Sequence, residues 1–270
     1  MSENSNFKIT SRDNPRLKHA RQVRDGRIKH QIFIEGWRLC EEALRAKLKI
    51  SEVFMSEKFV QNELHGDFLK KTFNYNCYEV SNKIFDSLSD TKTSQGVIFI
   101  AEKTANGQNS IEESLVKSEF PLVVLLHQIN NPANLGAILR TAEASGVSGI
   151  IITKNSTDVF APKSLRGAMG AAFRLPVWTG ADYYEALEWA RRHKLKSVCA
   201  DISSTKSYTE IDWKTGRLLI VGSEGYGLTE NERKAADESL IIPMENSVES
   251  LNLAVACGVV LFEAKRQRAI

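Results

Sequence analysis

The stretch Ile241-Ile-Pro-Met-Glu-Asn-Ser-Val-Glu-Ser-Leu-Asn-Leu-Ala-Val-Ala-Cys257 decides how this chain is read. Residues 239–242 read as a buried strand that stops at Pro243, which cannot donate to a ladder. A polar loop follows. Ser250-Leu-Asn252 then opens a helix over 251–268 that stays apolar for its first turns. The loop is too polar for core and too short for a lid. A strand end, a polar turn and an apolar helix start make the kind of crevice in which open α/β sheets hold ligands.

Two loops upstream have the same character. In Leu219-Ile-Val-Gly-Ser-Glu-Gly-Tyr-Gly-Leu228 a buried strand (217–221) runs into three glycines around Glu224, and Thr229 can cap the next helix. Glycine permits close backbone approach to a ligand. The spacing is not that of a dinucleotide fingerprint, and the Gly-Lys-Ser/Thr of a P-loop is missing. In Gln128-Ile-Asn-Asn-Pro-Ala-Asn-Leu-Gly-Ala-Ile-Leu-Arg-Thr-Ala142, Asn134 stands where a helix N-cap is expected, and Arg140 follows six residues later. Taken alone, Asn134 reads as a plain cap, Arg140 as a surface arginine and the glycine loop as a tight turn. Against this, Asn130, Asn131 and Asn134 around a proline are more amides than a turn requires.

Between and around these loops, continuous apolar runs at 122–126, 149–153 and 197–200 read as strands covered on both faces. Helical patterns at 135–145, 161–169 and 183–193 alternate with them, which predicts a doubly wound, mostly parallel α/β domain. All three polar loops follow strands, so all three can gather at one sheet edge. Upstream, strands at 31–35, 53–55, 77–80 and 96–101 alternate with helices at 16–27, 37–48, 67–73 and 84–88, a smaller α/β domain of about 100 residues. Residues 104–119 lose the apolar pattern and read as a linker, helical near 111–116. The predicted division is 1–103, 104–119 and 120–270.

Composition narrows the chemistry. Over 270 residues, 42% apolar and 26% charged describe an ordinary soluble globular protein. There is no run of about 18 apolar residues to span a membrane, and the N-terminus has no signal-peptide pattern. Cys40, Cys77, Cys199 and Cys257 are too far apart for a metal motif and read as buried thiols in a reducing cytoplasm. His19, His30, His65, His127 and His193 are scattered. The loops offer backbone groups, amides, one carboxylate and one arginine, with no metal cage, Ser-His-Asp set or Cys-His pair. Reactions that need an activated protein nucleophile or a metal are therefore not expected. Net charge is only +3, but residues 1–30 carry eight basic residues against three acidic ones. Such an arm, with Arg12, Arg16, Lys18 and Arg21, suits a phosphate backbone, and a solvated helix face accounts for it equally well.

Taken together, Asn134-x-Gly136-x3-Arg140-Thr-Ala, Gly222-x-Glu224-x2-Gly227-Leu and Ile242-Pro-Met-x4-Glu-Ser-Leu-Asn252 resemble the three motifs of the SpoU (TrmH) branch of the SPOUT RNA methyltransferases. Phe262-Glu-Ala closes the last helix in the same manner. The N-terminal part, with Glu35-Gly-x-Arg38 and Thr93-Ser-Gln-Gly96, is similar to the RNA substrate-binding domain often joined to this catalytic domain, which has the small α/β fold of certain ribosomal proteins.

The resemblance implies a C-terminal trefoil-knotted α/β methyltransferase domain, a topology that ordinary connection rules argue against. It implies S-adenosylmethionine as cofactor, contacted by Gly222, Ile242, Met244 and Leu251, and a 2′-O-methylated ribose in RNA as product. It implies a homodimer with the active site near the subunit interface and no metal. Arg140 would position phosphate and activate the 2′-oxygen, while Asn134, Glu224, Ser250 and Asn252 organise the pocket. Arg12, Arg16, Lys18, Arg21 and Arg38 would face RNA. Enzymes of this kind with the extra domain act mostly on large-subunit ribosomal RNA, which places tRNA second. A non-catalytic RNA-binding relative and an unrelated nucleotide-binding enzyme are the alternatives. Asn246 departs from the pattern, standing where many relatives have glycine. Asparagine tolerates positive φ, so a local adjustment is expected rather than loss of cofactor binding.

Overall fold

The computed structural model describes residues 7–104, 107–246 and 248–269. Glu3 of the basic arm, the N-terminal six residues read for a signal pattern, residues 105–106 of the expected linker and Ser247 of the decisive stretch lie outside them. The described residues fall into two compact units, Met1–Thr104 with Phe160–Phe173, and Ala105–Val159 with Arg174–Ile270.

The first unit is built on a five-stranded sheet. Its elements are β1 (Phe7–Ile9), α1 (Pro15–Arg24), β2 (Gln31–Glu35), α2 (Trp37–Arg45), β3 (Ile50–Ser56), α3 (Glu57–Val60), α4 (Gly66–Thr72), β4 (Cys77–Val80), α5 (Asn82–Leu88) and β5 (Val97–Glu102). The strand order is β1-β4-β3-β5-β2, parallel from β1 to β3 and antiparallel on to β5 and β2. Helix α1 starts where Pro15 occupies its first turn and the Asn14 side chain accepts from the Arg16 N–H. Its Leu17, Ala20 and Val23 pack with Phe33, Phe54, Ile98, Ile100 and the α5 residues Ile84, Phe85 and Leu88 in one core. Ile32, Ile34, Val53, Met55, Val97 and Phe99 alternate with those strand residues and are equally buried, so both faces of the sheet are covered. Strand β1 and helix α3 were not anticipated. They run for three and four residues, too short for a period to show.

The second unit begins with α6 (Gln108–Leu115), inside the stretch expected to be a linker; Ile111 and Leu115 sit in this unit's core. Next come β6 (Leu122–Leu126), α7 (Pro132–Ser145) and β7 (Gly149–Thr153). The chain then contributes α8 (Pro162–Ala168) to the first unit, and α9 (Ala171–Arg174) ends at the boundary. The second unit resumes with β8 (Val177–Ala181), α10 (Tyr183–Arg192), β9 (Lys196–Ala200), β10 (Arg217–Val221), α11 (Glu230–Ala235), β11 (Glu238–Leu240) and α12 (Leu253–Arg268). Its sheet has the order β11-β9-β10-β6-β7-β8, with every pair parallel. A parallel sheet puts all strand C-termini on one edge, so the loops after β6, β10, β9 and β11 leave it side by side.

Among the helix starts that differ from the sequence reading, two bear on function. Helix α7 begins at Pro132, because the Asn131 side chain caps it by accepting from the Ala133 N–H at 2.9 Å. Asn134 is therefore not the cap. Helix α12 begins at Leu253, two residues later than expected, because Asn252 is its cap: the Asn252 side chain accepts from the N–H groups of Ala254 (3.0 Å) and Val255 (3.3 Å). Strand β8, Val-Trp-Thr-Gly-Ala, escaped the reading because its glycine and two exposed positions break any apolar run.

Candidate active site

The loops after β6, β10 and β11 line one cleft of about 600 Å³ with Asn134, Glu224, Ser250, Leu251 and Asn252 in its wall. A smaller, mainly apolar recess of about 140 Å³ adjoins it, walled by Ile241, Ile242, Met244, Leu251 and Ala256. The two share Ala200, Asp201, Ile202, Ser250 and Leu251 and so form one groove.

A chain of hydrogen bonds ties three loops together at the groove. Asn134 Nδ2 donates to Glu224 Oε1 at 2.7 Å, and Asn252 Nδ2 donates to Asn134 Oδ1 at 3.2 Å. Because the Asn252 oxygen is committed to capping α12, its amide nitrogen is the atom left to meet Asn134. Each amide thus uses its donor and its acceptor in a fixed sense, and the rotamers of residues far apart in sequence hold one another.

Gly222 lines neither compartment, and its part is steric. A Cβ there would lie 2.6 Å from the Gly227 carbonyl carbon and 2.9 Å from the Leu228 nitrogen. The loop folds back on itself through Ser223 and Gly227, which exchange backbone hydrogen bonds of 3.2 and 3.0 Å, and only glycine leaves room for that. Asn246 takes φ +55, the left-handed conformation that asparagine tolerates in place of glycine.

The structure does not bring Arg140 to the groove. It is exposed on α7 and lines neither compartment. Conversely, the sequence reading missed Asp201, Ile202, Tyr226 and Arg233, all in the wall. Asp201 and Ile202 follow β9, a strand end like those that carried the motifs, and that position was the available signal. Asp201 lies 3.4 Å from Arg233.

Of the scattered histidines, His127 is a structural one. It is buried at the end of β6, with Nε2 3.0 Å from Glu232 Oε1 and Nδ1 3.2 Å from the Thr153 hydroxyl. Glu232 also completes a capping box with Thr229 at the start of α11. Burial raises the Glu232 pKa, but the Thr229 N–H and hydroxyl and the neighbouring His127 outweigh it and hold the carboxyl below its ordinary value. The root of the first loop and the helix after the second are thereby joined. Burial pushes the Cys199 and Cys257 thiols up to about 11 and about 12, and raises Cys40 and Cys77 as well, so the thiols stay protonated at neutral pH.

The basic arm divides. Arg16 is held by Glu52 at 2.7 Å and lies 4.6 Å over the Tyr78 ring, while Arg21 donates to the Arg12 carbonyl at 3.1 Å. Lys18 is 3.4 Å from Asp13. Arg12 and Arg38 are exposed. Arg16 and Arg21 therefore do structural work within the first unit, which the charge count alone did not separate from RNA contact.

Comparison with known proteins agrees with this geometry. Residues 121–262 match the SpoU rRNA Methylase family, and residues 9–99 match an MRM3-like substrate binding domain. An uncharacterized tRNA/rRNA methyltransferase of Synechocystis is 32% identical over 96% of this chain and 94% of its own. A 23S rRNA guanosine-2′-O-methyltransferase of Bacillus subtilis is 26% identical over 95% of this chain and 98% of its own. The crystal structure of the SpoU methyltransferase AviRb from Streptomyces viridochromogenes, in complex with the cofactor AdoMet, superposes with a TM-score of 0.84 at 25% identity, covering 95% of this chain and 98% of that one. With the motif loops converging on one groove, and the match spanning residues 121–262, this chain belongs to the SpoU rRNA methylase family.

Proposed function

We propose that this protein transfers a methyl group from S-adenosylmethionine to a ribose 2′-hydroxyl of large-subunit ribosomal RNA. The observation that carries the reading is the Asn134–Glu224–Asn252 chain beside a groove with one apolar and one polar end. Ile242, Met244 and Leu251 suit the adenine face and the aliphatic chain of the cofactor, and Ser250, Asn252 and the loop amides suit its polar groups. When bound, the cofactor supplies a methyl already activated on a sulfonium. The protein has then to place the ribose oxygen in line and help it lose its proton. Asn134, Glu224, Ser250 and Asn252 fix the walls for this, and Gly222 lets the loop close behind them.

Arg140 positions the RNA phosphate and favours the 2′-oxygen as it loses its proton. Its fixed fork of N–H donors suits a charge and hydrogen-bonding effect on the developing oxyanion. Arg140 lies outside the groove of a single chain, so this role goes with a homodimer. In support, Val255 and Phe262 stand on one face of α12 at 53% and 50% exposure, an apolar stripe for a second copy. A trefoil knot in the second unit fits the packing of α12, its last element, against α7. Residues 1–103, with the 160–173 stretch that packs on them, bind substrate, and the remainder of 120–270 catalyses, with 104–119 lying between and packing α6 on the catalytic part. Arg12, Lys18 and Arg38 meet RNA phosphates, with Arg16 and Arg21 shaping that surface. The work is cytoplasmic, in line with the absence of any described helix long and apolar enough to cross a membrane.

The test is transfer of radiolabelled methyl from S-adenosylmethionine to transcribed 23S ribosomal RNA and to transcribed tRNA, followed by mapping of ribose methylation. Label in 23S ribosomal RNA at a ribose is expected. Label in tRNA alone would replace the substrate, and absence of cofactor binding by calorimetry would return the protein to a non-catalytic RNA binder.

A further inference from the structure

A second pocket, of about 290 Å³, lies within the first unit, among the β2–α2 turn, the segment before β5 and α8. Glu35, Arg38, Thr91, Thr93, Gln95 and Arg166 line it. It holds both halves of the N-terminal motif, Glu35-Gly-x-Arg38 and Thr93-Ser-Gln, and adds an arginine from a stretch that falls within residues 121–262.

The hydrogen-bond accounting shows what the pocket lacks. The Glu35 carboxylate is held from inside: Oε1 accepts from the Ser89 hydroxyl and, at 2.8 Å, from the Thr91 hydroxyl, and Oε2 accepts from the Asp90 N–H at 2.8 Å. Asp90 in turn is paired with Arg166 Nη2 at 2.8 Å. The acids are therefore satisfied, while donors are left over. Arg166 Nη1 is buried with no acceptor. Arg38 is exposed and has no carboxylate within ion-pair distance among the described residues. The N-terminus of α2 also opens here. Its first N–H, of Trp37, donates to Gln95 Oε1 at 2.8 Å, but its N-cap is Gly36, which brings no side chain to the N–H groups of Arg38 and Leu39. Gly36 takes φ +106, and a Cβ there would press on Gln95 Oε1 at 3.0 Å, so the position admits only glycine. Leftover guanidinium and amide donors around a small concavity, with Glu35 held by neutral donors and Asp90 paired to Arg166, match a singly charged anion with several acceptor oxygens.

We propose that this pocket holds a phosphodiester group of the RNA substrate, gripped by Arg38, Arg166 and the open N-terminus of α2. The inference rests on the reading of the protein as an RNA methyltransferase and adds where the first unit takes hold of the strand. A phosphate contact positions the RNA without reading its sequence.

The test compares Arg38→Gln and Arg166→Gln with the full-length wild type, measuring affinity for transcribed 23S ribosomal RNA and for transcribed tRNA across a salt series. Calorimetric affinity for S-adenosylmethionine serves as the control for folding. Each variant is expected to bind both RNAs roughly tenfold more weakly, with the salt slope reduced by about one, and to bind the cofactor as the wild type does. Arg166→Lys should recover part of the loss, since lysine keeps the charge without the fork. RNA affinity unchanged in Arg38→Gln would overturn the proposal even if Arg166→Gln were too unstable to measure, because Arg38 has no ion-pair partner among the described residues. A loss confined to one of the two RNAs would also overturn it, in favour of a base contact. If wild-type protein bound neither RNA, the methyltransferase reading itself would fall, a result the variants cannot produce.

Discussion

Asn134 and Glu224, 90 residues apart in the chain, meet at 2.7 Å across the mouth of the groove. The contact is possible only because Asn131 has taken over the capping of α7 and left the Asn134 amide for the site. The two asparagines should therefore fail in different ways. Asn131→Ala should lower stability by about 1 kcal/mol, as loss of a cap does, with the kinetics of folded protein little changed. Asn134→Ala should leave the melting temperature near wild type and lower kcat/KM on the order of a hundredfold, through misplaced groups at the reacting centre. Parallel denaturation and kinetic measurements separate the two, and a large stability loss in Asn134→Ala would show that it is structural.

Gly222→Ala places a methyl 2.6 Å from the Gly227 backbone, which has no flexible end to yield. The loop must open to admit it, at a cost of about 1–3 kcal/mol. Calorimetry should show weakened S-adenosylmethionine binding. Unchanged affinity would mean the loop conformation does not matter to the cofactor.

Arg140→Ala should separate binding from chemistry. Because Arg140 lines neither compartment, cofactor affinity should stay within about twofold, whereas methyl transfer should fall below detection, a loss of about a thousandfold or more expected for removal of a key electrostatic group. Turnover close to wild type would remove Arg140 from the mechanism.

Phe262→Asp puts a charge on the exposed stripe of α12. Sedimentation velocity should report a dimer for the wild type and a monomer for the variant, with activity falling alongside. A variant that stays dimeric would place the interface elsewhere.

Acid should loosen the link between His127 and Glu232. The Glu232 carboxyl titrates below its ordinary value of 4.5 in the folded chain. A depressed folded pKa stabilises fully above the unfolded value, and that contribution is lost as pH falls through the folded one. Stability should therefore drop below about pH 4.5, and Glu232→Gln should be less stable at neutral pH and flatter over the acid limb. Denaturation at a series of pH values would show it, and parallel curves for the two proteins would exclude the link.

The strands that are buried on both faces were legible because a continuous apolar run leaves few alternatives: Leu122–Leu126, Gly149–Thr153 and Arg217–Val221 fall where the sequence put them. Short or polar elements were not. Helix α11 buries none of its residues and so carries no stripe, and only Thr229 betrayed its start. In the groove, Asn134, Glu224, Ser250 and Asn252 were legible through the motifs that resemble those of the family, since by type alone Asn134 read as a plain cap. Asp201 and Ile202 were not, since a single acidic or apolar residue after a strand has no distinctive signature. Which of three nearby asparagines caps α7 was a matter of backbone geometry, and residue type alone could not choose among them.

The chain passes between its two units three times, at 104–105, 159–160 and 173–174. Neither unit is a cassette that can be excised in one piece. A fragment ending at residue 104 would lack α8 and with it Arg166, so shuffling such front halves between enzymes would transplant an incomplete fold. On the ribosome the same interleaving sets an order of events: the first unit cannot close until residue 173 has emerged, by which time β6, α7 and β7 of the second are already available to fold.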